Sequence, residues 1–122
     1  MLEMSGKILI VEDEPLLAMA MSEQLREAGF EIAGIAPVLA EAMRLLGLVE
    51  CGAAILDCRL RGESVEPLAI ALSERDIPFL FYSGGNSTDV PERFRNTPLL
   101  VKPANRHDLI TALTALLAAN RN

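Results

Sequence analysis

Residues 7–15 run Lys7-Ile8-Leu9-Ile10-Val11-Glu12-Asp13-Glu14-Pro15, an apolar stretch that stops at three acids and a proline. Continuous apolar runs of this length are typical of a strand that is buried on both faces of a parallel sheet. Proline suits the first turn of a helix, and acids just before it are favourable at the positive end of the helix dipole. The segment therefore predicts a strand followed directly by a helix.

The same alternation continues along the chain. Four further strands are predicted, at residues 30–36, 53–57, 78–82 and 98–101. Helices are predicted at residues 15–28, 39–49, 64–75, 90–94 and 105–119, with Gly29 ending the first, Ser64 capping the third and Asn105 capping the last. The loop at 58–63 is polar. Five βα units predict an α/β fold, a doubly wound parallel sheet with helices on both faces and the flavodoxin-like strand order 2-1-3-4-5.

Composition sets limits on the function. The 122 residues are 51% hydrophobic and 23% charged, and no Gly/Ser-rich or Pro-rich linker divides them, which predicts one domain over residues 1–122. The net charge of −6 argues against direct binding to nucleic acid. No apolar stretch is long enough to span a membrane, no secretory signal is evident, and two cysteines, Cys51 and Cys58, suit free thiols. We therefore expect a cytoplasmic protein with no membrane contact.

Polar side chains follow four of the predicted strands. Glu12 and Asp13 follow the first strand, Asp57 ends the third, Ser83 follows the fourth and Lys102 follows the fifth. In this strand order, ligands bind beyond the carboxyl ends of the strands, at the switch point between strands one and three. Converging carboxylates repel each other unless a cation lies between them, and their oxygens suit Mg²⁺. The lysine and the serine would suit a phosphoryl group carried on a carboxylate.

Two other kinds of site are disfavoured. No glycine-rich phosphate loop follows the first strand, where three acids would repel a nucleotide. The single histidine, His107, has no acidic or hydroxyl partner near it in the sequence, so a histidine-based triad has no support and His107 is expected at the surface.

Four segments together resemble the receiver domain of two-component response regulators, the CheY-like fold: residues 8–15, Leu56-Asp57, 81–84 and Val101-Lys102-Pro103. The resemblance implies that Asp57 accepts phosphate from a histidine kinase or a histidine phosphotransfer protein. It also implies a cis peptide before Pro103. It further implies that Asp13 and Asp57 bind Mg²⁺ together with the backbone carbonyl of Arg59, and that Glu12 does so through water. It also implies that Ser83 and Lys102 bind the phosphoryl group.

The fourth strand and its loop look like those of single-domain receivers with a Phe-Ala-Thr-Gly-like motif. Tyr82 stands where that motif has a small residue, and Ser83 where it usually has threonine. Leu99 occupies the strand-five position where most receivers carry a switch aromatic. We therefore expect another segment to transmit the signal, and residues 84–96 are expected to be the least stable part of the fold. Phosphorylation would order or shift this segment and so change the surface formed by helix four, strand five and helix five.

Alternatives remain open at this level. The chain could be a receiver-like interaction module with vestigial phosphorylation, or the receiver fragment of a longer regulator. No enzymatic activity is expected beyond self-catalysed phosphoryl transfer to Asp57 and its hydrolysis. Cys58 follows Asp57 directly, and strand alternation is expected to turn its side chain away from the site and into the core.

Overall fold

A computed structural model of the chain, which describes residues 7–84 and 89–119, contains a central sheet of five parallel strands. Numbered in chain order, seven strands lie in this part of the chain. Two short ones, β4 and β5, pair as a separate antiparallel hairpin, and the others form the sheet in the order β2-β1-β3-β6-β7. The predicted order 2-1-3-4-5 is confirmed once the hairpin is set aside. The strand bounds are β1 Lys7–Val11, β2 Glu31–Ala36, β3 Ala53–Leu56, β4 Arg59–Leu60, β5 Glu63–Ser64, β6 Phe79–Ser83 and β7 Leu99–Val101.

Four α-helices cover the two faces of the sheet. They are α1 Pro15–Glu27, α2 Leu39–Leu46, α3 Glu66–Glu74 and α4 Arg106–Ala119. Alternate residues of β1 enter opposite cores, because successive side chains of a strand point to opposite faces. Ile8 and Ile10 pack with residues of α1 and α4, whereas Leu9 and Val11 pack with residues of α2 and α3. This two-layer burial confirms the predicted doubly wound architecture.

The fourth crossover differs from the prediction of five βα units. Between β6 and β7 the 3₁₀ turn Glu92–Phe94 stands in place of the helix predicted at 90–94. Pro91 precedes this turn in an extended conformation, and Pro98 precedes β7, so few residues are left for a helix. Residues 85–88 of this crossover lie outside the described residues.

Helix ends follow local sequence with three adjustments. Helix α2 ends at Leu46, before the predicted 49, with Gly47 as its C-cap. The N-cap of α3 is Val65, although the Ser64 hydroxyl accepts a hydrogen bond from the Glu66 amide at 3.1 Å and so satisfies a first-turn N–H from one residue earlier.

The third adjustment is at the end of α1. It ends at Glu27, and Gly29 follows with φ of 101°, a backbone conformation that glycine adopts without a steric penalty. The cap of α4 was predicted correctly, since Asn105 accepts a hydrogen bond from the Asp108 amide at 2.8 Å. No helix within residues 7–84 and 89–119 is both long and apolar enough to cross a bilayer.

Candidate functional site

The sheet brings the predicted site residues to its carboxyl edge. The Asp57 amide donates to the Val11 carbonyl at 2.9 Å, which places the end of β3 beside the end of β1. The Lys102 amide donates to the Ser83 carbonyl at 2.7 Å, which does the same for β7 and β6. Because neighbouring parallel strands run in register here, residues separated by tens of positions in sequence meet at one edge.

Lys102 forms ion pairs with two of the acids, Glu12 and Asp57. Its ammonium Nζ lies 2.9 Å from Glu12 Oε1 and 3.0 Å from Asp57 Oδ2. The Glu12 side chain is 1% exposed and that of Asp57 is 14% exposed, so the pair on the lysine is largely shielded from water. Burial by itself would lower the pKa of Lys102, but its hydrogen bonds to Glu12 and Asp57 outweigh burial and raise that pKa. The lysine is therefore a fixed positive charge against Asp57.

The three acids form a cluster that fits a divalent cation. One carboxylate oxygen from each of Glu12, Asp13 and Asp57 lies within 4.8 Å of the others. Lys102 neutralises one charge, which leaves an excess of negative charge. Glu12 Oε1 is buried and lies 2.9 Å from the Lys102 ammonium. Hard oxygen ligands and an excess of negative charge are features that a bound divalent cation would satisfy.

Asp13 is held by a turn that was not predicted. The hairpin β4–β5 turns at Arg61 and Gly62, whose φ values are 54° and 86°, as a two-residue type I′ turn requires. The Arg61 amide donates to Asp13 Oδ2 at 2.8 Å. The segment 58–63 was predicted as a polar loop, and Gly62 at the second turn position is the sequence signal that could have indicated a hairpin. The hairpin fixes the Asp13 carboxylate at the edge of the site.

Arg59 lies at the start of this hairpin. Its guanidinium donates to the Gly62 carbonyl at 2.7 Å and lies 3.7 Å from Asp89. Both charged side chains are about half exposed, so this ion pair contributes little to stability. The role of the Arg59 carbonyl as a metal ligand stays a prediction.

Ser83 and Cys58 meet beside the acids. The Ser83 side chain is buried, and its hydroxyl lies close enough to the Cys58 thiol to oppose the effect of burial on the thiol pKa. Cys58 is 1% exposed and packs in the core cluster, as expected. Burial raises the pKa of the Cys58 thiol, which keeps it protonated at neutral pH.

Three further residues lie where the sequence predicted. Leu99 on β7 is 38% exposed, and His107 is exposed in the first turn of α4. The peptide bond between Lys102 and Pro103 is cis.

We expect Glu12→Gln to stabilise the metal-free protein at neutral pH. Burial raises the pKa of Glu12 above its ordinary 4.5, against the opposing effects of Lys102 and the Glu14 amide. Below the unfolded pKa the side chain is protonated in both states and contributes nothing. As the pH rises from there through the folded pKa, ionisation favours the unfolded chain, so the wild type loses stability that the variant keeps.

Thermal unfolding in a chelator checks this. The midpoints of wild type and variant should coincide near pH 4 and differ at pH 7 by about 4 °C, the shift that roughly 1 kcal/mol causes in a domain of this size. A variant that unfolds below the wild type at pH 7 would show that the Lys102 pair outweighs the burial of Glu12.

Comparisons with known proteins agree with this geometry. No protein-family model matches the chain. SdrG from Sphingomonas melonis Fr1 is 44% identical, with 93% of this chain and 99% of that chain covered and a TM-score of 0.82. The BeF3-activated conformation of SdrG from Pseudomonas melonis Fr1 is 41% identical, with 95% and 99% covered and a TM-score of 0.80. The receiver domain of the response regulator PhyR from Erythrobacter litoralis is 28% identical, with 93% and 90% covered and a TM-score of 0.78.

A curated relative extends the comparison. The transcriptional regulatory protein PdtaR of Mycobacterium tuberculosis is 34% identical over 111 residues, which is 88% of this chain. The chain spans about half the length of that relative, 54%. The chain shares its fold and 44% identity with SdrG over nearly the full length of both chains, and it shares its fold with the PhyR receiver domain. The chain belongs to the receiver domains of two-component response regulators.

Proposed function

We propose that this receiver accepts a phosphoryl group on Asp57 from a histidine kinase or a histidine phosphotransfer protein, in a reaction that depends on Mg²⁺, and that it signals by binding another protein. The observation that carries the proposal is the position of Lys102, whose ammonium lies 3.0 Å from Asp57 at the centre of the acidic cluster. A half-buried lysine paired with a half-buried aspartate is suited to hold added phosphoryl oxygens as they arrive.

The proposed step is a phosphoryl exchange between two groups. The P–N bond of a phosphohistidine breaks as a P–O bond to the Asp57 carboxylate forms, and the imidazole leaves with its electron pair. Asp13, Asp57, the Arg59 carbonyl and Glu12 through water would hold Mg²⁺, which supplies positive charge for the phosphoryl oxygens when bound. Lys102 pairs with a phosphoryl oxygen, and the Ser83 hydroxyl donates to another.

The proposed partners are proteins. The net charge of −6 disfavours direct contact with nucleic acid, and we place the protein in the cytoplasm, where kinases and phosphotransfer proteins would meet it. Beyond transfer to Asp57 and hydrolysis of the acyl phosphate, no catalytic activity is proposed. The regulatory activity named for PdtaR belongs to a longer protein, of which the match to this chain covers 54%.

Incubation with a small phosphoryl donor tests the proposal. Phosphoramidate or acetyl phosphate with Mg²⁺ should add one phosphoryl group to the intact mass, and a chelator should prevent it. Binding of beryllofluoride, followed by ¹⁹F NMR, provides a readout that does not depend on the acyl phosphate surviving. A chain that takes up neither group would instead be an interaction module in which phosphorylation is vestigial.

The signal is proposed to leave through residues 84–96. Residues 89–96 of this segment contain the 3₁₀ turn Glu92–Phe94 and pack on the core through Val90 and Phe94, whose ring meets Phe79 edge-on at 5.6 Å. Residues 85–88, also included in the prediction, lie outside the described residues. Residues 89–96 form few backbone hydrogen bonds, so this segment is expected to have low local stability. A small shift of Ser83 could therefore change the stability of the segment.

Hydrogen exchange should therefore change most in peptides covering residues 84–96 when beryllofluoride and Mg²⁺ are added. Peptides from α2, none of whose residues belongs to the site, serve as the internal control and should be unaffected. Equal protection of residues 84–96 in both states, with beryllofluoride shown to be bound, would contradict this route.

A further inference from the structure

Tyr82 lies beneath the site and touches two parts of the loop that carries Lys102. The side chain is 2% exposed and belongs to the same core cluster as Leu100 on the neighbouring strand. The phenol oxygen accepts a hydrogen bond from the Ala104 amide at 3.1 Å. The Lys102 ammonium lies 5.7 Å from the centre of the tyrosine ring. One side chain of β6 thus meets both the charged end of Lys102 and the backbone two residues beyond it.

We propose that Tyr82 is a positioning residue for Lys102. Tyr82 holds the Lys102 ammonium against Asp57 and links the position of the ammonium to the start of α4. The inference rests on the proposed function, since it concerns how Lys102 meets a phosphoryl group. Tyr82 touches no reacting atom, so its effect would pass through the lysine.

Two contacts restrain the lysine from different sides. The ring face attracts the ammonium, an interaction that strengthens where water is excluded. The hydrogen bond to Ala104 fixes the path of the loop after Lys102, so the lysine's backbone and its charged end are held by the same residue. A long flexible side chain loses much rotamer freedom when it is held in one place, and a preorganised loop removes part of that cost from the binding step.

The same contacts connect Lys102 to the start of α4. Ala104 is followed by Asn105, the cap of α4, whose side chain accepts from the Asp108 amide. When phosphoryl oxygens draw Lys102 toward them, its distance from the ring changes, and the tyrosine's restraint on Ala104 changes with it. Tyr82 is thereby placed to pass a displacement of the lysine to the first turn of α4, although Leu99 lacks an aromatic ring.

The composition of the chain makes this inference directly measurable. Tyr82 is the one tyrosine of the sequence, which contains no tryptophan, so intrinsic tyrosine fluorescence reports on this side chain alone. We expect the emission intensity or lifetime to change when beryllofluoride and Mg²⁺ bind to the wild type. The same additions to Asp57→Asn should leave the emission as it is with Mg²⁺ alone.

Bound beryllofluoride, seen by ¹⁹F NMR, with unchanged tyrosine emission would contradict the role of Tyr82 and leave the proposed function intact. Absence of bound beryllofluoride would contradict the proposed function and, with it, this inference. The two failures are therefore distinguishable in one sample.

A double-mutant cycle tests whether Tyr82 acts through Lys102. Tyr82→Phe keeps the ring and removes the acceptor for Ala104, so we expect beryllofluoride affinity to fall about threefold to tenfold, the effect of losing one hydrogen bond. In a Lys102→Met background the same change should have no further effect, because the group that Tyr82 positions is already gone. A merely structural tyrosine would lower the affinity equally in both backgrounds, which would overturn the inference.

Leu80→Val is the matched control. Leu80 lies on the same strand and face as Tyr82, is 1% exposed, and is one pleat further from the site. It should lower stability slightly while beryllofluoride affinity stays within about twofold of the wild type, as expected for a conservative core substitution. A loss as large as that of Tyr82→Phe would show that any weakening of this core disturbs the site, and would also contradict a specific role for Tyr82.

Discussion

Asp57→Asn is expected to abolish phosphoryl uptake. The amide is close in size to the carboxylate, so the fold should persist, but it lacks the negative oxygen that attacks phosphorus. The Lys102 ammonium loses one of its two carboxylate partners, at 3.0 Å, and keeps Glu12 at 2.9 Å. Intact mass after incubation with phosphoramidate and Mg²⁺ should show one added phosphoryl group on the wild type and none on the variant.

Asp76→Asn provides the control for this substitution. Asp76 is exposed, lies in the loop before β6, and has φ of 57°, a conformation that asparagine tolerates well. This variant should be phosphorylated like the wild type. Stoichiometric phosphorylation of Asp57→Asn at the wild-type rate would show that the acceptor is another residue.

Asp13→Asn should weaken Mg²⁺ binding more than Glu12→Gln does. Both oxygens of Glu12 already have neighbours, Oε2 the Glu14 amide at 3.1 Å and Oε1 the Lys102 ammonium. The Asp13 carboxylate is less buried than that of Glu12 and is oriented by the Arg61 amide on Oδ2. An oriented, more accessible carboxylate is the better candidate for direct contact with the ion, whereas Glu12 would act through water.

We expect an affinity loss of about tenfold or more for Asp13→Asn, equivalent to roughly 1.4 kcal/mol, and a smaller loss for Glu12→Gln. Titration with Mg²⁺ followed by NMR shifts at the ends of β1 and β3 measures both. Glu41→Gln, in the exposed pair with Arg44 on α2, is the control for loss of one negative charge and should leave the affinity unchanged. A larger loss for Glu12→Gln would reverse the assigned roles.

The predicted strands were largely correct because their signal is local. Apolar runs that end in acids mark strands buried on both faces, and residues 8–11 and 53–56 are almost fully buried in the structure. Strand order and the edge where the acids converge followed from the right-handed crossover rule and the switch-point rule. The helix predicted at 90–94 is wrong, because Pro91 precedes and Pro98 follows the 3₁₀ turn Glu92–Phe94 and few residues are left for an α-helix.

The positions of the strands and the polar residues that follow them could be predicted from the sequence, because hydrophobic periodicity and chain breaks are properties of short segments. The side-chain contacts could not be predicted: the Arg61 amide meets Asp13 across 48 residues, and the Ala104 amide meets Tyr82 across 22. Such contacts depend on which strands are neighbours, on which face each side chain lies, and on the handedness of a two-residue turn. These are set by packing the whole sheet, so no short stretch of sequence carries them.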